Sequence, residues 1–161
     1  MPNKKIPGGL DEAKNYALRL LSHRARSIRE MRERLTRKGY SEKVVDKVLS
    51  SLKKSDYLDD ASFAKIWVEN RVLLRGCGRR RIRAELISKG IEKDLIEREL
   101  DESYPEEREK EIALTLAKKR LPSYRDLAIT TKRRRLIQFL LRRGFSSETA
   151  QEVCRELLPE R

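Results

Sequence analysis

The chain has 161 residues, 40% charged and 38% apolar, with 39 basic against 26 acidic side chains for a formal charge of +13. That apolar share is too high for a disordered chain, yet it leaves little core per residue, so slender helical layers fit better than one thick globule. The charge bears on partners rather than on fold, with nucleic acid the first candidate and an acidic protein surface the second.

The charge is uneven along the chain. Residues 11–57 carry 13 basic and 7 acidic side chains, residues 58–104 ten of each, and residues 105–161 carry 14 and 9. Cys77 and Cys154 lie far apart and form no CxxC pair, which fits a reduced cytosolic protein. The first ten residues lack the apolar core of a signal peptide, and no run approaches the length of a membrane span.

Residues 1–10, with two prolines and two glycines, read as a flexible tail. A helix is predicted over 11–22, with Ala13, Tyr16, Ala17, Leu20 and Leu21 at helical spacing. Ser27 and Glu30 have the spacing of a capping box and open a second helix that ends at Gly39. Ser41 caps a third, with Val44, Val45, Val48, Leu49 and Leu52 on one face. The next helix points Phe63, Ala64, Trp67, Val68, Val72 and Leu74 inward, and Gly76-Cys77-Gly78 breaks it. A helix over 79–89 follows, then one with Leu95, Ile96 and Leu100. Pro105 starts a helix bearing Ile112, Leu114 and Leu116 that stops before Pro122. Residues 123–130 fit a short helix or an irregular link, and helices over about 132–143 and 147–158 complete the chain. No stretch sustains strand alternation.

One pattern occurs three times. Gly39, Gly90 and Gly144 each follow a basic residue (Lys38, Lys89, Arg143) and precede a large apolar one (Tyr40, Ile91, Phe145). Four positions before each glycine stands Leu35, Leu86 or Leu140, and eight before it Met31, Ile82 or Leu136. Positions four apart share a helix face. A glycine just past the last turn ends the helix in the left-handed conformation, and the apolar residue after it packs back on the leucine. The glycines are 51 and 54 residues apart, which makes an internal repeat. The expected fold is all-α, an elongated tandem array of three three-helix repeats over 11–57, 58–104 and 105–161.

Catalytic constellations are thin. Asp59-Asp60 reads as a helix N-cap and first-turn acid rather than a metal pair. His23 is the only histidine. Cys77 sits among arginines that can lower a thiol pKa, yet nothing beside it suggests a nucleophile's machinery. No enzyme, cofactor or metal is expected. The basic runs carry more: Arg75, Arg79, Arg80, Arg81 and Arg83 flank the middle glycines, Lys132, Arg133, Arg134 and Arg135 are consecutive, and Arg142 and Arg143 end the same helix. These eleven are the candidate contacts, on charge alone. The aromatic residues fall at core-like positions rather than between the basic runs, so phosphate contact is expected without base stacking.

Several stretches resemble the RecX family of RecA regulators. They are Tyr57-Leu58-Asp59-Asp60 with Phe63-Ala64; Gly78 with the run Ile82-Arg83-Ala84-Glu85-Leu86-Ile87-Ser88-Lys89-Gly90-Ile91; Phe139-Leu140-Leu141-Arg142-Arg143-Gly144-Phe145-Ser146; and Ala17-Leu18-Arg19-Leu20-Leu21. Asp56 stands where the family often has glycine, which alters a turn and not the class. The resemblance implies a bacterial cytoplasmic protein, monomeric, that binds the RecA nucleoprotein filament along its groove. It further implies that the protein modulates, and is expected to inhibit, recombinase, ATPase and co-protease activities, with direct binding to single- and double-stranded DNA in some members. The alternative, on charge alone, is a nonspecific architectural DNA-binding protein.

Overall fold

The structure, a computed structural model, describes residues 8–159. They form nine α-helices and one 3-10 helix with no strand among them. In order these are α1 (Leu10–His23), α2 (Ile28–Lys38), α3 (Glu42–Lys54), α4 (Asp60–Arg75), α5 (Arg79–Ser88), α6 (Lys93–Ser103), α7 (Glu106–Arg120), the 3-10 turn Leu121–Tyr124, α8 (Ile129–Arg142) and α9 (Ser147–Leu157). Most of the expected tail, residues 1–7, lies outside the described residues; Leu10 already belongs to α1.

Two compact units result, one holding the described chain through Phe63 together with Lys89–Ile91, the other Ala64–Ser88 and the described chain from Glu92. The core of the first unit gathers Ala13 and Ala17 of α1, Met31 and Leu35 of α2, Tyr40, the α3 face Val45, Val48, Leu49 and Leu52, and Leu58. In the second unit Ala113, Ala117, Leu136, Leu140, Phe145, Ala150, Val153 and Cys154 pack together. Ile82, Leu86, Ile96, Leu100 and Tyr104, on α5, α6 and the turn after it, are buried as well.

The repeated glycines end helices as their spacing predicts. Gly39, Gly90 and Gly144 have φ of 100°, 79° and 89°, a region that side-chain-bearing residues avoid. At two of them the full Schellman pair is present. Tyr40 N–H donates to Leu35 O (3.3 Å) and Gly39 N–H to Thr36 O (2.9 Å); Phe145 N–H donates to Leu140 O (3.2 Å) and Gly144 N–H to Leu141 O (2.9 Å). Tyr40, Ile91 and Phe145 are all buried. Asp56, in the place of the family's glycine, is itself left-handed (φ 54°), with Tyr57 N–H on Leu52 O at 3.0 Å. Aspartate tolerates this region better than most side chains, so the turn survives the exchange.

Two expectations are corrected and one, on α7, is refined. Leu74 does not point inward: it is 78% exposed, because burying Val68 and Val72 turns position 74 to the far side of α4. On α7 the buried stripe is Glu109, Ala113 and Ala117, and Ile112, Leu114 and Leu116 only flank it. Small alanines let helices approach closely, and that packing outweighs the hydrophobicity of their larger neighbours. Finally α8 starts at Ile129, three residues early, closed by Lys132 N–H on Ala128 O (2.9 Å). Three β-branched residues, Ile129, Thr130 and Thr131, disguise that first turn.

In the first two repeats the start of the second helix is held by groups from the following repeat. In the first unit Ser27 forms the expected capping box with Glu30, and its hydroxyl donates to Lys89 O (2.7 Å). The first helical N–H, that of Ile28, donates to the Asp60 carboxylate at 2.8 Å. Glu30 also receives Arg24 (3.0 Å) and Lys89 (2.6 Å). In the second unit Gly78, twelve residues before Gly90 as Ser27 is before Gly39, donates its N–H to Arg143 O (2.9 Å). Arg79 N–H, the counterpart of Ile28, donates to the buried Glu109 carboxylate at 2.7 Å. Arg80 N–H reaches Gly144 O at 3.1 Å. A Cβ on Gly78 would fall inside the main chain of Gly144 and Phe145.

Gly78→Ala should therefore destabilise the protein by about 1–3 kcal/mol through forced backbone displacement, read as a shift in urea midpoint. Gly9→Ala, with open space around it, should stay within about 0.5 kcal/mol. A second expectation concerns acid. Burial pushes the Glu30 carboxyl up, but the hydrogen bonds from Arg24 and Lys89 outweigh it and hold the group at about 2, against 4.5 ordinarily. A depressed folded-state pKa contributes stability that is present above pH 4.5 and lost as pH falls towards 2. Glu30→Gln should cost about 1–3 kcal/mol at neutral pH, and unfolding curves of variant and wild type should converge across that acid window.

Candidate functional site

The candidate basic residues divide by what their side chains already hold. Arg79 is only 11% exposed, and its guanidinium caps the end of α6, donating to Tyr104 O (2.9 Å) and Leu100 O (3.3 Å) and pairing with Asp101. Arg83 makes two parallel bonds to Glu97 (2.6 and 2.7 Å), which raise its pKa and hold the Glu97 carboxyl below the usual range. Arg133 is half-buried and donates to Leu158 O at 3.0 Å. Arg81 pairs with Glu85 along α5 (3.2 Å), and Arg143 donates to Arg75 O. Arg75, Arg80, Arg134, Arg135 and Arg142 are exposed, and among the described residues no carboxylate pairs with them; Lys132 is half-buried, also without an ion pair there.

Position divides them again. Arg75, Arg81, Arg142 and Arg143 line one shallow groove with Leu74, Cys77 and Phe139, and no carboxylate lines it. The Gly78–Arg143 main-chain bond brings the end of α4, the start of α5 and the end of α8 to this one place. Arg79, Arg80 and Arg83 lie on a different concavity with Glu106, Glu107, Glu109, Glu148 and Glu152, where acid balances base. Arg135 stands seven residues before Arg142, two helical turns along the same stripe of α8. Arg134 lines neither concavity.

The groove rests on a carboxylate behind it. Glu85 receives Arg71, Arg81 and the indole N–H of Trp67 (3.0 Å). Burial pushes its carboxyl up, but these bonds together win and keep it ionised below the usual range. Arg71 also lies over the Trp67 ring at 4.3 Å. Phe139 is similarly engaged, with Arg120 at 5.5 Å and Arg143 at 5.2 Å from its ring centre. The Cys77 thiol is 2% exposed, and burial pushes its pKa up in spite of Arg81, Arg71 and Arg143. A raised pKa keeps it in the unreactive thiol form. Glu109 is raised by burial too, against the Arg79 N–H bond.

Asp59 is the N-cap of α4, accepting from Ser62 N–H (2.8 Å) and Ala61 N–H (3.3 Å), while Asp60 accepts from the first N–H of α2. Among the described residues no group of three or more metal-ligating side chains comes together, and no helix is long and apolar enough to cross a membrane. Leu74 is the groove residue that sequence reasoning misplaced. The signal available was Leu73-Leu74 in the last turn of α4, just before Arg75 and the helix-ending Gly76, where a buried stripe runs out.

Three family models match consecutive parts of the chain: RecX, first three-helix domain, over residues 13–52; second three-helix domain, over 59–100; and third three-helix domain, over 106–154. The chain belongs to the RecX family. It is 34% identical over 142 residues to a Regulatory protein RecX of Caldanaerobacter subterraneus subsp. tengcongensis, covering 88% of this chain and 68% of that one. To a Regulatory protein RecX of Amycolatopsis mediterranei it is 35% identical, covering 99% and 92%. The crystal structure of RecX from Lactobacillus salivarius superposes with a TM-score of 0.83 at 26% identity, over 92% of this chain and 96% of that one. The all-α class and the tandem three-helix repeats are those of RecX.

The division of labour among the arginines has a direct check. Arg79→Ala removes the guanidinium that serves the Leu100 and Tyr104 carbonyls and pairs with the exposed Asp101, and should cost about 1–3 kcal/mol. Arg142→Ala should leave the stability read from urea unfolding unchanged to within about 0.5 kcal/mol.

Proposed function

We propose that this chain is a non-catalytic regulator that binds the RecA filament in its helical groove and inhibits its recombinase, ATPase and co-protease activities. It acts in the cytoplasm, as a monomer, through repeats spanning residues 11–57, 58–104 and 105–161. One observation carries the assignment of the contact surface: four arginines converge on a groove that no carboxylate lines, in a protein of the RecX family. Arg75 and Arg142, which have no intramolecular ion pair among the described residues, are the contacts least committed to the fold; Arg81 and Arg143 form the wall behind them.

A second reading is direct, sequence-independent DNA binding. The exposed Arg134, Arg135 and Arg142 on α8 support it, since phosphate contact needs only unpaired cations. Three neutralised phosphates give a slope of about −2.7 in log K against log salt.

RecA ATPase on single-stranded DNA, titrated with this protein, separates the two. Inhibition at a small fraction of the RecA concentration, weakened at least tenfold by Arg75→Ala with Arg142→Ala, is the expected result. Inhibition that begins only when the protein saturates the DNA, with the salt slope above, would replace the regulator reading with DNA masking.

A further inference from the structure

The groove is not only basic. Leu74 lines it beside the four arginines, and its side chain is 78% exposed, with Leu73 next to it at 69%. An aliphatic side chain left in water at the rim of a cationic groove has no use in phosphate contact, which needs charge and donors alone. The aromatic that could stack a base, Phe139, already has two guanidinium groups against it, and Trp67 is held by Arg71 and Glu85. Base stacking in the groove would have to displace those contacts.

Carboxylate differs from phosphate in the company it keeps. On a polypeptide, glutamate and aspartate sit within a few ångströms of aliphatic side chains, so one short segment can meet unpaired arginines and Leu74 together. A planar carboxylate also matches the two-donor edge of a guanidinium. Exposed apolar surface rimmed by charge marks such docking places.

From this we infer that the groove takes an acidic polypeptide segment with an aliphatic anchor, its carboxylates on Arg75 and Arg142 and its anchor on Leu74. The inference rests on the proposed function in that the segment belongs to the regulated protein partner and not to DNA.

The test uses the full chain and labelled synthetic probes at physiological salt. They are a glutamate-rich peptide containing two leucines, the same peptide with serine for leucine, the same with glutamine for glutamate, and oligothymidylate. The leucine peptide should bind about tenfold more tightly than the serine peptide, the worth of one buried aliphatic side chain. The glutamine peptide should not bind. Leu74→Ser, at a site exposed enough to leave the fold intact, should abolish the leucine preference without changing oligothymidylate binding, and Arg75→Ala should weaken the acidic peptides. Equal affinity for the leucine and serine peptides, or no effect of Leu74→Ser on their ratio, would overturn the inference. So would oligothymidylate displacing the leucine peptide with the same sensitivity to Arg75→Ala. The RecA ATPase titration is read on the same variants. Inhibition that survives while the peptide preference is absent sinks only this inference; peptide binding without RecA inhibition sinks only the proposed function.

Discussion

The first N–H groups of an α-helix have no partner inside it, and the array is built on supplying them from the next repeat. Ile28 N–H and Arg79 N–H are equivalent positions, and each finds a carboxylate on the following repeat's first helix, Asp60 or Glu109. The residue just before, Ser27 or Gly78, donates to the carbonyl that precedes the next repeat's helix-ending glycine, Lys89 O or Arg143 O. One repeat thus caps the start of a helix with the end of another. Both ends gain partners, and the positive N-terminal dipole meets acid. The two junctions differ in chemistry: the first uses a serine hydroxyl and an ion-pair cluster on Glu30, the second a glycine main chain. The glycine version packs backbone on backbone, and only a residue without Cβ fits there. Helix α8 departs from this scheme. Its counterpart of Ser27 and Gly78 is Lys132, which lies inside the helix, because α8 begins a turn earlier behind Ala128.

Helix ends and half-buried carboxylates also explain why so many arginines are not free. A helix C-terminus exposes carbonyls, and a guanidinium can reach several at once. Arg79, Arg133 and Arg143 all serve main-chain carbonyls, while Arg83 and Arg71 neutralise carboxylates that burial would otherwise penalise. Among the eleven candidates the positive charge left for partners is therefore concentrated at a few positions, along α8, at Arg80 and at the end of α4. The formal charge of the chain overstates the cationic surface that any one partner can meet.

How far the sequence foretold this depends on whether the deciding interaction was local. Helix ends were legible because a cap is written within a few residues: Ser27 with Glu30, and glycine before a large apolar residue at 39, 90 and 144. The core faces of α2, α3 and α9 followed from spacing. On α7 the spacing brought out Ile112, Leu114 and Leu116, which pack at the edge of the core, but not the fully buried stripe between them, because Ala113 and Ala117 carry little hydrophobic signal. The start of α8 was hidden by β-branched residues. The pairing of Gly78 with Gly144, 66 residues apart, could not be read from local pattern at all, and neither could the grouping of Arg75 and Arg81 with Arg142 and Arg143. Charge runs showed which residues were cationic. They did not show that Arg79 and Arg81 face different concavities, since helical positions two apart point about 200° apart.

Fold and surface meet at one contact. The same glycine contact that caps α5 brings the C-terminal turns of α4 and α8 together, and those turns carry Arg75, Arg142 and Arg143. Helix C-termini repel anions and favour cations, so arginines there stabilise the helices whether or not a partner binds. Facing two such ends across a main-chain contact concentrates positive charge without placing cations inside a helix core, and Glu85 behind the wall offsets part of the mutual repulsion. An acidic partner would lower the remaining repulsion, so binding and stability are linked in sign: an anion that occupies the groove raises the stability of the junction that forms it.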